Sequence, residues 1–132
     1  MAIKYKSGYK YQLAKSVLCK TNLRITETVK NSYITLTKNG IIMIKHGYAW
    51  DGATLAFDTK TFMRGSLVHD ALYQLIREGL IEKHWRLNAD KLLQKICIED
   101  GMSRLRAWWV YYGVRIGGSK VGLKPRKILT AP

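Results

Sequence analysis

Residues 33–45 read YITLTKNGIIMIK and carry the strongest secondary-structure signal of the chain. Two runs of β-branched and aromatic residues flank Asn39-Gly40, and this dipeptide is a strong hairpin signal because both turn residues are expected to need positive φ. We therefore predict a β-hairpin over residues 33–45. Period-two alternation over residues 23–29 and an earlier run near residues 11–19 predict further strands of the same antiparallel sheet.

After the hairpin, the spacing between apolar residues changes from two positions to three and four, which is typical of helices. The first apolar series ends at Gly79, a position that suits the glycine after a helix. Asn88 is predicted to cap a second helix. Ser103 is predicted to cap a third, which runs towards the glycine pair 117–118.

Length and composition fit one compact domain. The chain has 132 residues, of which 47% are hydrophobic. We predict a single α+β domain over residues 1–118, in which an N-terminal antiparallel β-sheet with hairpins is followed by about three helices. Residues 119–132 are predicted to form a basic C-terminal tail. The two cysteines show no zinc-ligand or redox spacing, which argues against a disulfide framework or a zinc site.

The net charge of +14 is unevenly distributed. Residues 1–45 carry nine basic residues against one acidic, residues 46–100 seven against eight, and residues 101–132 seven against none. Two basic flanks thus enclose a balanced middle that holds all three histidines. The chain has no run of about 18 apolar residues and no apolar core after its N-terminal lysines, so we expect neither a transmembrane segment nor a signal peptide.

The balanced middle contains a constellation that suits acid–base chemistry. Its parts are GYAWDG at residues 47–52, HDALY at residues 69–73, and Asp90. On a helix, His69 and Tyr73 share one face, and an antiparallel second helix would place Asp90 against it. A histidine oriented by a carboxylate is a natural general base. The neighbouring Asp70, together with carbonyls of the glycine-bounded loop, offers the oxygen ligands that Ca²⁺ prefers.

This arrangement resembles the secreted and parvovirus-type phospholipases A2, which also carry His-Asp-x-x-Tyr on a helix after a glycine-containing loop. The resemblance implies that His69 activates water, that Asp90 orients His69, and that Tyr73 supports Asp90 by a hydrogen bond. It also implies a Ca²⁺ site at Asp70 that is completed by loop carbonyls near Tyr48, Trp50 and Gly52. Asp51 has two interpretations: it is a further metal ligand, or it closes the tight loop by bonding nearby backbone amides.

A second resemblance covers residues 9–118. The chain looks like a family of small tailed-phage and prophage proteins known as a domain of unknown function, on the segments YKYQL (9–13), GYAWDGAT (47–54), FMRGSLVHDALY (62–73), RLNAD (86–90) and YYGVR (111–115). The resemblance implies a phage origin, and hence the infected-host cytoplasm or the virion as the location. It implies no activity.

The third helix has two interpretations. One interpretation is a stripe that packs on the core, formed by apolar residues at helical spacing: Leu105, Trp108, Trp109, Tyr112 and Ile116. Alternatively, its aromatic and basic residues form a surface for an anionic membrane or another polyanion, since Trp and Tyr favour the lipid–water boundary. The residues of that predicted surface are Arg104, Arg106, Arg115, Lys120, Lys124, Arg126 and Lys127.

The leading functional hypothesis is a phage-encoded protein with a phospholipase-A2-like His–Asp site, a calcium-dependent lipid esterase that acts at the host envelope. The first alternative is a non-catalytic phage protein, either a virion or assembly component or a binder of a host target. The second is a general nucleic-acid-binding accessory protein. The chain shows no signature of sequence-specific nucleic-acid recognition, so binding of that kind would be driven by phosphate charge.

Overall fold

A computed structural model describes the backbone of residues 11–50 and 59–120. These residues fall in two compact units, which we call the sheet unit (11–50) and the helical unit (59–120). The predicted α+β arrangement, with the antiparallel sheet first and three helices after it, is confirmed. The single domain over residues 1–118 stays a prediction, and most of the predicted tail lies outside the described residues.

The sheet unit contains six short strands: β1 (Tyr11–Gln12), β2 (Val17–Lys20), β3 (Val29–Lys30), β4 (Ile34–Leu36), β5 (Ile41–Ile44) and β6 (Ala49–Trp50). Strands β2, β5, β4 and β3 form an antiparallel sheet in that order. Strands β1 and β6 pair with each other in a separate two-stranded sheet. The run predicted near residues 11–19 is therefore two strands, of which only β2 joins the larger sheet.

The predicted hairpin is confirmed, with Ile34 opposite Ile44 and Leu36 opposite Ile42. The expected positive φ is present at Gly40 but wrong for Asn39. Gly40 has φ of +90°, but the only described non-glycine residue with positive φ is Asn22. The amide of Gly40 donates to the carbonyl of Thr37 over 2.9 Å, so residues 38 and 39 are the centre of the turn and Gly40 follows it. That arrangement needs positive φ only at the glycine.

Gly40 is also a point of close approach. A Cβ atom at this position would lie 2.7 Å from the carbonyl oxygen of Leu23. The Gly40 carbonyl accepts hydrogen bonds from both the amide and the hydroxyl of Thr21, each over 2.7 Å. The hairpin turn is thereby tied to the segment that leaves β2.

The helical unit consists of α1 (Thr59–Arg77), α2 (Trp85–Glu99) and α3 (Arg104–Lys120). Gly79 follows α1 with φ of +75°, and the amide of Leu80 donates to Leu75 over 2.9 Å, which is the predicted glycine-terminated end. Helix α2 begins at Trp85, so the predicted cap at Asn88 is wrong. Asn88 lies inside the helix and is exposed. The Ser103 hydroxyl accepts the amide of Arg106 over 3.2 Å and caps α3 as predicted.

Close packing of α1 on α2 positions the site described below. A Cβ atom on Gly65 would lie 2.9 Å from Leu93 and 3.0 Å from the Cys97 sulfur, so this glycine lets the two helices approach. Arg64 of α1 forms a two-pronged ion pair with Asp100, at 3.0 and 2.9 Å. No helix of the described segments is both long and apolar enough to cross a bilayer.

Helix α3 packs through a different face from the one that its apolar spacing favours. Ala107 and Val110 are buried, in a cluster with Phe62, Leu93, Cys97 and Met102. The predicted core stripe is instead exposed, at Leu105, Trp108, Trp109, Tyr112 and Ile116. The core-facing interpretation is therefore wrong for this stripe. Small residues make the helix contact, and the large apolar residues lie on the opposite side.

Candidate active site

Helices α1 and α2 bring together three residues of the predicted constellation. His69 and Tyr73 lie one turn apart on α1, with ring centroids separated by 4.2 Å. The two helices run antiparallel, since Arg64 early in α1 contacts Asp100 after α2, whereas His69 contacts Asp90 early in α2. The His69/Tyr73 face therefore meets Asp90, and the predicted contact is present.

Asp90 is the centre of the arrangement. Its carboxylate is fully buried. Oxygen Oδ1 lies 2.6 Å from His69 Nε2 and accepts the Tyr73 hydroxyl, also over 2.6 Å. Short hydrogen bonds of this kind are typical of charged acceptors. His69 and Tyr73 are nearly buried themselves, so the carboxylate is held by groups that lie largely out of water.

A third helix contributes a residue that sequence reasoning placed elsewhere. Arg115 of α3, predicted to belong to an anionic-surface patch, donates from Nη1 to Asp90 Oδ2 over 2.8 Å. Arg86 of α2 donates to the Arg115 carbonyl over 3.5 Å. We call the set formed by His69, Tyr73, Asp90 and Arg115 the Asp90 cluster. It ties all three helices together.

The charges of the Asp90 cluster stabilise one another. Burial opposes the carboxylate, but the hydrogen bond and charge of His69, with hydrogen bonds from Tyr73 and Arg115, outweigh it and lower the pKa of Asp90. Burial likewise opposes protonated His69, but the negative charges of Asp70 and Asp90, and the hydrogen bond to Asp90, raise its pKa. Burial, then the hydrogen bond to Asp90, raises the pKa of Tyr73. Asp90 is therefore the ionised acceptor of the cluster.

The second ring nitrogen of His69 faces a different residue. Nδ1 lies 3.8 Å from a carboxylate oxygen of Asp70, which is half-buried. Because ionised Asp90 can only accept at Nε2, a neutral His69 carries its proton on Nε2 and leaves the lone pair on Nδ1. The basic nitrogen is thus on the Asp70 side. This is the chemistry that general-base catalysis requires.

The predicted Ca²⁺ ligands are divided between the units. Asp70 is in the helical unit, whereas Tyr48 and Trp50 are in the sheet unit, and Asp51 and Gly52 lie outside the described residues. The Tyr48 carbonyl accepts the Leu13 amide over 2.7 Å. Within residues 11–50 and 59–120, no three His, Cys, Asp or Glu side chains form a metal-sized group. Asp70 contributes a carboxylate oxygen on the Nδ1 side of His69.

The predicted anionic-surface residues have different positions. Arg104 and Arg106 are exposed on the first turn of α3. Lys120 is the last residue of that helix. Lys124, Arg126 and Lys127 lie outside the described residues. Arg115 hydrogen-bonds Asp90, and the periodicity of α3 carries no signal for this contact.

The family model that describes a protein of unknown function, DUF1353, matches residues 27–114. The chain belongs to the DUF1353 family. The matched residues of this DUF1353 protein extend from just before β3 into α3 and include His69, Tyr73 and Asp90, while Arg115 is the next residue after the match. No curated protein and no solved structure matches the chain.

Proposed function

We propose that this DUF1353 protein hydrolyses carboxylic esters of lipids, with His69 as the general base and Asp90 as the group that orients it. The observation that carries the proposal is the 2.6 Å contact between His69 Nε2 and buried Asp90 Oδ1. It holds the imidazole in one tautomer, with Nδ1 available as a base. The phospholipase-A2-like order of His69, Asp70, Tyr73 and Asp90 supports a lipid ester as the substrate.

In the proposed reaction, a water molecule hydrogen-bonds to His69 Nδ1. As the water oxygen attacks the ester carbonyl carbon, Nδ1 takes its proton, and ionised Asp90 stabilises the resulting imidazolium. The bond from the carbonyl carbon to the ester oxygen then breaks. His69 returns the proton to the departing alkoxide, so the products are one carboxylic acid and one alcohol.

Tyr73 and Arg115 act on Asp90 and not on the substrate. The Tyr73 hydroxyl occupies the same oxygen that His69 uses, and Arg115 occupies the other oxygen. Together they fix the rotation of the Asp90 carboxylate and keep it ionised. His69 Nε2 therefore donates to one oxygen in a fixed position. We therefore assign both as positioning residues.

A calcium ion is part of the proposal through Asp70, the carboxylate on the Nδ1 side of His69. Such an ion would supply a positive charge for the ester carbonyl. The proposal also includes a phage origin and action at the host envelope, reached from the infected-host cytoplasm or from the virion.

The test is release of fatty acid from phosphatidylglycerol vesicles, measured with Ca²⁺ and with a chelator. We expect His69→Gln to lower the rate at least about 100-fold, since a positioned general base contributes that much or more. The matched control is His84→Gln, because His84 is an exposed histidine of the same unit. We expect its rate to equal that of the wild type. Asp70→Asn should remove the response to Ca²⁺ while the protein stays folded.

A second function is favoured by one observation, which is that Arg115 saturates the remaining oxygen of Asp90. A carboxylate on α2 that is hydrogen-bonded by residues of α1 and α3 also suits a purely structural cluster. In that case the protein is a non-catalytic phage component that keeps the helices as a scaffold. The same assay separates the two functions. A scaffold protein releases no fatty acid above the level of His69→Gln. His69→Gln then differs from the wild type only in unfolding more readily.

A further inference from the structure

Helix α3 exposes a continuous apolar stripe that the Asp90 cluster does not use. Exposed fractions in this stripe run from 44% to 68%. At 3.6 residues per turn the positions fall within about 100° of arc. The residues of this α3 stripe are Leu105, Trp108, Trp109, Tyr112 and Ile116.

The stripe is not needed to hold the helix in place. Ala107 and Val110 are fully buried on the other side of α3, and Val114 packs against the same cluster. Ser103 caps the helix, and Arg115 binds Asp90. Large apolar side chains with no role in the core are typical of a surface that meets another apolar phase or partner.

The rings of the stripe are arranged as one connected patch. Trp108 lies between Trp109 and Tyr112, with ring centroids 5.2 Å and 4.6 Å apart. Tyr111 extends the patch, at 5.4 Å from Tyr112. Indole and phenol rings combine a broad apolar body with a polar tip, so they favour the boundary between headgroups and hydrocarbon. Leu105 and Ile116 add purely aliphatic surface near the two ends.

The charges beside the α3 stripe indicate which kind of partner binds there. Arg104 and Arg106 flank the stripe on opposite sides of the first turn, and α3 contains no acidic residue. Two copies packed stripe to stripe, whether parallel or antiparallel, would give these arginines no acidic partner from α3. An anionic lipid surface supplies both hydrocarbon for the stripe and negative headgroups for the arginines. A nucleic acid supplies only the charge and a stacking surface.

We infer that the α3 stripe, with Arg104 and Arg106, docks the protein on an anionic lipid bilayer. Helix α3 lies along the interface, with Trp108, Trp109 and Tyr112 at the level of the headgroups. This inference deepens the proposed function and rests on it for the lipid ester that docking would deliver. Binding itself involves no reaction, so docking and hydrolysis can fail separately.

The experiment is sedimentation of the full chain with vesicles in the presence of a chelator. We expect strong binding to phosphatidylglycerol vesicles and weak binding to phosphatidylcholine vesicles. The double variant Leu105→Gln, Trp109→Gln should weaken the partition coefficient at least about tenfold on phosphatidylglycerol, since two exposed apolar side chains lose their burial in lipid. Arg104→Glu with Arg106→Glu should weaken it by a similar factor, and added salt should reduce the difference.

Two controls make the test specific. Leu18→Gln changes an equally exposed leucine on β2 of the sheet unit and should bind as the wild type. His69→Gln should also bind as the wild type, so a failed reaction is distinguishable from failed docking. The inference is overturned if the wild type does not bind phosphatidylglycerol, or if Leu18→Gln weakens binding as much as the stripe variant. It is also overturned if the stripe variant only abolishes a dimer, or if DNA displaces the protein from vesicles at equal phosphate concentration.

Discussion

Replacing Asp90 by asparagine is the sharpest test of the cluster that organises the helical unit. The fully buried carboxylate accepts hydrogen bonds from His69 and Tyr73 at 2.6 Å and from Arg115 at 2.8 Å. Asparagine has the same shape, but its amide group presents hydrogens to a donor at one of the two oxygen positions. At least one hydrogen bond is therefore lost, and Arg115 loses its counterion.

The size of the loss follows from burial. Removing one partner of a buried ion pair costs about 3–5 kcal/mol. The Arg115 side chain keeps 27% of its exposure, so water compensates part of this loss, and we expect about 3 kcal/mol for Asp90→Asn. The assay is urea unfolding at neutral pH, followed by far-UV circular dichroism. Glu82→Gln, which changes an exposed carboxylate, should alter the free energy of unfolding by less than about 0.5 kcal/mol. A loss below about 1 kcal/mol for Asp90→Asn would show that the buried carboxylate does not stabilise the helical unit through these contacts.

The same pair of proteins gives a pH dependence of known sign. The pKa of Asp90 is lowered in the folded state from an ordinary value of 3.8, because interactions with His69, Tyr73 and Arg115 outweigh burial. Its contribution to stability is therefore complete above pH 3.8 and is lost as pH falls through the folded-state pKa. The difference in free energy of unfolding between the wild type and Asp90→Asn should be largest between pH 3.8 and 6.5 and should shrink in acid. Because Asp90 also raises the pKa of His69 above 6.5, the difference should fall again as pH rises through the folded-state pKa of His69. A difference that grows in acid would contradict the assigned charge.

Three further predictions test separate features. Tyr73→Phe removes one hydrogen bond to Asp90 and should lower the free energy of unfolding by about 1–3 kcal/mol in urea; an unchanged midpoint would contradict the contact. Gly40→Ala places a methyl group against the Leu23 carbonyl at φ of +90° and should cost about 1–3 kcal/mol, whereas exposed Gly117→Ala should not destabilise the protein. Burial raises the pKa of Cys97 to about 12, so Ellman's reagent should label this thiol only at the rate of unfolding, and rapid labelling of folded protein would place it at the surface.

Local signals in the sequence predicted the features that local chemistry determines. The Asn39-Gly40 dipeptide predicted the hairpin, although the turn is shifted by one residue because a glycine after a type I turn satisfies the same strand twist. Gly79 and Ser103 marked helix ends that depend on their own conformation or hydroxyl group. The one-turn spacing of His69 and Tyr73 predicted a shared face, and the contact with Asp90 followed from pairing two helices.

Features that depend on long-range packing could not be predicted in this way. Arg115 reaches Asp90 because α3 packs on α2, and no periodicity in α3 records that contact. Large apolar residues of α3 were expected in the core, but the helix packs through Ala107 and Val110 and exposes the aromatic rings. Hydrophobic spacing identifies a face and does not identify what that face meets. Helix α2 begins at Trp85, before Asn88, and no side-chain hydrogen bond caps its N-terminus. The sequence therefore has no capping residue that marks this helix start.

The most direct test of the proposed reaction is the isotope content of fatty acid released from phosphatidylglycerol vesicles in H₂¹⁸O. Water that is activated by His69 attacks the carbonyl carbon, so we expect one ¹⁸O atom in each released carboxylate. Release should fall at least about 100-fold in His69→Gln and remain unchanged in His84→Gln. Equal release by the wild type and His69→Gln, or no release by either, would contradict the assignment of His69 as a general base.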